Sequence, residues 1–485
     1  MLPRALGDTD EGLYLYEATR VVDGARLYRD VYHIQAPGFH WLMAALFEIF
    51  GSSIATARIA AAVIDGLIVV LVYRGSRLLG ARPALATVAA LMHVAVDQPA
   101  WPYASPHWLG ALIALAAAVW VLRHPCPRPP HAVALGALLG AMIGVQHQKA
   151  PALAAGAFVV LVVQHALDCP RPWGTLVVRL LSVGAGIALV LVPLAVVVAV
   201  TSGVEPTLEA LVYHLRYYRA VNRIGWGAVG FWNKIDAANT FPALLAWGPI
   251  VVGGLATLRL VTAALRPGGL ARERGLFTAT TFLAFGVVSI VYRPDFIHIA
   301  FIGPVVWMLA AETVEGLCTH LRPAPLGRVV GGAVAAVAVL AMTIHLARNR
   351  TRIRATFPVS HATPFGEVAF RKQPLVDFVE RTRTRLAAAG TNELFVYPGY
   401  TALYLLTGTR NPTRFQQAGP NYSPPAHLDE ILAVLERRRL PYLIVIPALV
   451  SKDDPVVRWM LERYEPDEPD FTVGPLLLAR KAGPQ

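Results

Sequence analysis

Between residues 54 and 347 the chain is a succession of apolar runs, several of about 18 residues or more, separated by short polar loops. A helix that crosses a bilayer needs about 20 mostly apolar residues, because no water reaches the hydrocarbon to satisfy its backbone. Repeated runs of this length restrict the chain to one class, a polytopic α-helical membrane protein. Composition agrees. Of 485 residues, 55% are apolar and only 15% charged, against about 25% charged in a soluble domain. Ten spans are expected, at roughly 54–73, 83–98, 106–122, 132–146, 150–167, 177–201, 241–262, 276–292, 297–317 and 328–347. Several are near the minimum length, which a helix bundle tolerates.

The loops alternate in charge. Arg74, Arg77 and Arg82, then Arg123 and Arg128, then Arg171 and Arg179, then Arg259, Arg266, Arg272 and Arg274, then Arg322 and Arg328 fall in every second loop. Arginine in short loops marks the cytoplasmic side. The formal charge of +12 therefore reflects orientation and not nucleic-acid binding. The other side receives the segment 8–38, Asp97–His107, Gln146–Lys149, the aromatic loop 202–240 with Tyr213, Tyr217, Tyr218, Trp226, Phe231 and Trp232, and Arg293–His298. Cys126, Cys169 and Cys318 lie in or near cytoplasmic loops without metal-ligand spacing, so disulfides are not expected. The N-terminus lacks the apolar core of a signal peptide. An even number of spans leaves the acidic N-terminal segment outside with nothing to export it, so a further helix is expected upstream of Met1.

Three divisions follow: 1–53, an extracytoplasmic loop with interfacial helices; 54–347, the helical bundle; and 348–485, an extracytoplasmic α/β domain. In the last, 393–397, 442–447 and 471–479 read as strands, and 426–438 and 456–463 as helices.

The chemistry-bearing residues crowd the external side. Asp10 and Glu11 are adjacent, so on a helix they point about 100° apart and cannot form a dyad on one face. One acid can face a cleft while the other serves structure. The bland role for Asp10, or for Thr9, is a helix cap; the functional one is a general base. Gly24 ends the first helix, Tyr28, Arg29 and Asp30 form an ordered loop, and Pro37-Gly38 turns the chain toward the membrane. Lys149 interrupts an apolar stretch, and a lysine there calls for an anion. Arg58, Arg293 and His298 stand at comparable positions. Headgroup snorkelling is the bland alternative for the arginines, and a structural hydrogen bond for the histidine. Asp65 lies inside the first span, where a polar partner is expected. Gly136, Gly140 and Gly144 form a small-residue face suited to close helix packing. No nucleotide-binding or metalloprotease motif appears in a suitable context.

The order acid pair, aromatic helix, G-x-x-x-Y-R-D (Gly24–Asp30), proline re-entry and F-G-x-S with Arg58 resembles the first external loop of GT-C glycosyltransferases. The branch is that of the protein O-mannosyltransferases and the lipid A aminoarabinose transferases, glycosyltransferase family 39-like. The likeness covers residues 8–79 well. It extends more loosely through Gln146–Lys149, the R-x-D-x-x-H of Arg293–His298, and Val396–Phe415. Many relatives have Pro-Pro where this chain has Ala36-Pro37. The resemblance implies a bacterial plasma-membrane enzyme that takes a sugar from a polyprenyl-phosphate donor. It implies Asp10 as catalytic base, with Asp97 as a second acid and Glu11 beside the base. Lys149, Arg293, Arg58 and His298 would hold the donor phosphate, and Tyr28, Arg29 and Asp30 would form a substrate loop. The acceptor is a protein, a glycan or a lipid. No cofactor is required: a divalent ion at Asp10, Glu11 and Asp97 is compatible with the chemistry, but phosphate is already a good leaving group.

Two other classes compete. A transporter or lipid flippase would place polar groups near the bilayer midplane on broken helices within inverted repeats. Here they gather at one edge, and no internal repeat is visible. A non-catalytic surface protein whose tail binds a partner is disfavoured by the chain-wide resemblance.

Overall fold

Proline and glycine set most boundaries in this chain, and the apolar runs between them form helices. The computed structural model describes residues 5–6, 9–167, 172–213, 217, 224, 240–321, 323–419, 422–467 and 474–481. Cys169, Arg171, Arg322, Phe471 and most of the aromatic loop, including Tyr218, Trp226, Phe231 and Trp232, lie outside the described residues. Two units form. One gathers Met1–Ala60, Val198–Val221 and Thr351–Gln485; the other gathers Ala61–Val197 and Asn222–Arg350.

The second unit is the helical one. Its main helices are α3 (Ile54–Leu78, begun in the first unit), α4 (Pro83–Met92), α5 (Pro106–Arg123), α6 (Pro129–Gln146), α7 (Ala150–Leu167) and α8 (Trp173–Ser202, ending in the first unit). After α9 (Val204–Tyr213), which belongs to the first unit, come α10 (Thr240–Ala264), α11 (Arg274–Ile290), α12 (Phe296–His320) and α13 (Ala324–Thr356). Among the described residues, eight helices are long and apolar enough to cross a membrane. The two other expected spans take different forms. The stretch 83–98 is α4 followed by a π-helical turn, His93–Asp97, and 276–292 is the 17-residue α11. On α8, Leu181, Leu189, Val192 and Val196 are exposed, as on a helix that faces lipid. The small-residue face works as expected: a Cβ on Gly136 would lie 2.0 Å from the Val183 carbonyl oxygen, so α6 and α8 meet backbone to backbone.

The first unit begins with α1 (Thr9–Val22) and α2 (Gly38–Phe50), which pack on each other. A hairpin follows α13, with β1 (Val359–Thr363) antiparallel to β2 (Gly366–Phe370). Then come α14 (Gln373–Ala388), β3 (Phe395–Tyr397), α15 (Ala402–Thr407), α16 (Pro425–Arg438), β4 (Tyr442–Val445), α17 (Pro455–Arg463), β5 (Tyr464–Pro466) and β6 (Leu476–Arg480). The sheet order is β3-β4-β6-β5, with β3 and β4 parallel and the other pairs antiparallel. The expected strands and helices of the tail are present among the described residues; the hairpin, α14, α15 and β5 are additions. The N-terminal segment belongs to this unit. Tyr32 N–H donates to the Arg414 carbonyl at 2.7 Å, and a Cβ on Gly12 would lie 2.6 Å from Ala402 N, so only glycine lets α1 approach α15.

Candidate functional site

Asp10 and Glu11 occupy the first turn of α1, where acids favour the helix dipole. Asp10 is half-buried. Glu11 is fully buried and forms a two-pronged ion pair with Arg58, Nη1 to Oε1 and Nη2 to Oε2 at 3.0 Å. Arg58 also donates to the Ala5 carbonyl. The resemblance cast Arg58 as a phosphate ligand; here its fork faces Glu11 in the two-pronged geometry of a clamp. Glu11 is equally committed to that clamp.

The expected substrate loop is packed more than it is presented. Tyr28 is fully buried, and its hydroxyl donates to the Gln35 carbonyl at 2.8 Å. Its backbone is left-handed, with φ 71°, unusual for a residue with a side chain. Asp30 closes a local pair with Arg26, Nε to Oδ2 at 2.7 Å, which holds its carboxyl below the usual range. Of the three loop residues, only Arg29 is exposed.

Within the helical unit, Asp97 does not stand at an edge. It is fully buried and accepts from Trp307 Nε1 at 2.9 Å, with His93 Nδ1 at 3.1 Å. Asp65 completes the row, its Oδ1 3.5 Å from His93 Nε2. Gly303 leaves room for the carboxylate; a Cβ there would lie 2.2 Å from Asp97 Oδ1. Gly303 is seven residues into α12, about 10 Å along it. Asp97 is therefore held inside the bundle, and its expected place in an external loop is corrected. The π-helical turn His93–Asp97 carries it inward.

Three of the four expected phosphate ligands do come together in this unit. Lys149 is 2% exposed, in the short turn between α6 and α7. Its Nζ lies 3.0 Å from His107 Nδ1 and 4.0 Å from the centre of the Phe301 ring. The His107 ring meets the His298 ring edge-on at 5.1 Å. His298 Nδ1 is 2.6 Å from Asp295 Oδ1, and Arg293 Nε donates to Asp295 Oδ2 at 2.8 Å. Asp295 also caps α12, accepting from His298 N at 3.1 Å. Burial would raise the Asp295 carboxyl, but the bonds from His298 and Arg293 outweigh it and hold it well below the usual range. Burial pushes the Lys149 ammonium down to about 7, with Asp295 opposing. Among the described residues, Lys149 forms no ion pair with a carboxylate. Sequence reasoning named Arg293, His298 and Lys149 but gave no role to His107, Gln146 or Asp295. His107 is 42 residues from Lys149, and nothing local joins them.

A third group lies in the first unit. Glu17, His33 and His40 are buried, and their donor atoms lie within 4.8 Å of one another. Neither the acid pair nor the spacing of these residues announced it.

The architecture can now be compared with known proteins. A family model described as dolichyl-phosphate-mannose-protein mannosyltransferase matches residues 34–196. ArnT from Cupriavidus metallidurans bound to undecaprenyl phosphate is similar over 100% of this chain and 96% of its own, at 15% identity and a TM-score of 0.60. The same protein in the apo state gives 15% identity and a TM-score of 0.59 over the same shares. The chain shares the fold of ArnT over its whole length. The resemblance read from the first external loop holds along the whole length, although no curated protein matches the sequence. The family match takes in part of the N-terminal loop, Asp97, His107 and Lys149.

Proposed function

We propose that the protein is an integral membrane glycosyltransferase that moves a sugar from a polyprenyl-phosphate donor to an acceptor hydroxyl outside the cytoplasm, with inversion. The GT-C fold and the undecaprenyl phosphate bound to ArnT support the donor class. The observation that carries the reading is Lys149: a buried ammonium that meets an imidazole and a ring, with Arg293 and His298 held nearby by Asp295. A cation in such surroundings is favourable once an anion reaches it.

The roles follow from charge balance. Asp10 takes the proton of the acceptor hydroxyl as that oxygen attacks the anomeric carbon. The bond from that carbon to the phosphate oxygen breaks, and the donor diester leaves as a polyprenyl phosphate monoester with one more negative charge. Lys149 and Arg293 stabilise that added charge. Glu11 supports the start of α1 through Arg58. No step requires a metal. The arginine-rich loops support an external position for the N-terminal segment and the C-terminal region, and we assign the protein to a bacterial plasma membrane.

The test is incubation of the reconstituted protein with a panel of polyprenyl-phosphate sugars and candidate protein, glycan and lipid acceptors, with products identified by mass. A sugar-bearing acceptor is the expected product. Labelled lipid that crosses the vesicle bilayer without covalent transfer would instead establish a flippase or transporter. Asp65, His93 and Asp97 inside the bundle are what keeps that second reading in play.

A further inference from the structure

We propose that Glu17, His33 and His40 form a binding site for one divalent transition-metal ion, zinc by the chemistry of its donors, which ties α1 to α2. Glu17 lies in the middle of α1, His33 in the connecting loop and His40 in the first turn of α2. Glu17 Oε2 is 2.8 Å from His33 Nδ1 and 2.9 Å from His40 Nε2. All three residues are at most 4% exposed. Two imidazole nitrogens and a carboxylate oxygen are a known zinc donor set, and they leave one tetrahedral position for water.

Hydrogen bonding alone does not account for the group. Both Glu17 oxygens, both His40 nitrogens and His33 Nε2 are buried without a hydrogen-bond partner, despite the short separations. A buried carboxylate with no donor is costly, and native proteins avoid it. A dication satisfies the carboxylate and uses the free lone pairs of both rings. Gln35 stands beside His33 with its own Oε1 buried and unbonded, placed to accept from the ring nitrogen that does not bind metal.

The full chain, purified in detergent with any affinity tag removed, is stripped with chelator and dialysed against buffered zinc, and the bound ion is counted by mass spectrometry. About one zinc per chain is expected for the wild type, and less than a tenth of that for Glu17→Gln and His40→Gln. Zinc should raise the wild-type Tm and leave those variants unmoved. His33→Cys should keep the ion and, loaded with cobalt, add a thiolate charge-transfer band that the wild type lacks, which tests ligation without deleting a donor. His124 and His131, whose rings lie 4.1 Å apart, are the control: changing both to Gln should leave binding intact. Wild-type protein that takes up no zinc, or a triple variant of Glu17, His33 and His40 that takes up as much as the wild type, would overturn the site.

Discussion

One cluster of cations in each unit makes the comparison. In the first unit, two arginines are held by carboxylates. Arg58 is clamped on Glu11, and Arg414 bridges Glu209 at 3.0 Å and Glu430 at 2.9 Å, with His427 closing on Glu209 at 2.8 Å. In the helical unit, Arg293 and His298 both bond to Asp295, while Lys149 meets His107 and the Phe301 ring and forms no ion pair with a carboxylate among the described residues. Balanced pairs hold a fold in place, whereas an excess of buried positive charge is complete only with an anion bound. On the proposed function, charge balance, more than burial, separates Arg58 and Arg414 from Lys149.

The widest break in that comparison would come from Asp10, the acid of the N-terminal pair that is only half-buried. Asp10→Asn keeps the side chain's shape and removes the base, so turnover should fall by about 10³-fold or more. Donor binding and Tm should stay near wild type, as measured by product formation beside thermal unfolding in detergent. Its neighbour should behave in the opposite way. Glu11→Gln leaves Arg58 buried and unbalanced, which costs about 3–5 kcal/mol of stability. The readout is Tm, and Glu11→Leu combined with Arg58→Leu should recover part of the loss. If Glu11→Gln left Tm unchanged while abolishing transfer, the assignment of structural and catalytic acids would have to be exchanged.

Lys149→Met asks the same question of the helical unit. Removing a cation that waits for an anion should not destabilise the protein, because among the described residues the buried ammonium has no carboxylate partner to strand. The loss should appear as about 10²–10³-fold in kcat/KM. A large drop in Tm with unchanged kcat/KM would make Lys149 a structural residue like Arg58.

The sequence made part of this contrast visible, for physical reasons. Apolar length and Pro or Gly boundaries announce helices whatever they pack against, so the bundle was legible, as were the short strands at 395–397 and 442–445. Lys149 was legible because a lysine amid apolar residues needs a reason wherever the chain folds. Partners were not. Arg58 meets Glu11 across 47 residues, so it carried the same sequence signature as a phosphate ligand. Asp97 read as a loop acid because hydropathy does not register a π-helical turn that carries a carboxylate inward against Gly303. Glu17, His33 and His40 match no metal spacing, since the turn from α1 into α2 brings them together.

The smallest expected effect probes the same contrast without a mutation. Burial pushes the Lys149 ammonium down to about 7 in the ligand-free protein. The sign is that of a lysine with a depressed pKa: the charged form prevails below that value and is lost as pH rises through it. Donor affinity should therefore fall above about pH 7, by about tenfold over one to two pH units, while bound donor phosphate pulls the ammonium pKa back up. Clamped Arg58 predicts no such change, because a guanidinium stays charged throughout. Measuring KM for the donor from acid to alkaline pH, in wild type and in Lys149→Arg, separates the two cases. Lys149→Arg, if it still binds donor, should hold its affinity through the range where the wild type loses it. A wild-type profile flat through pH 7 would mean that Lys149 is already paired, and the difference between the two units would disappear.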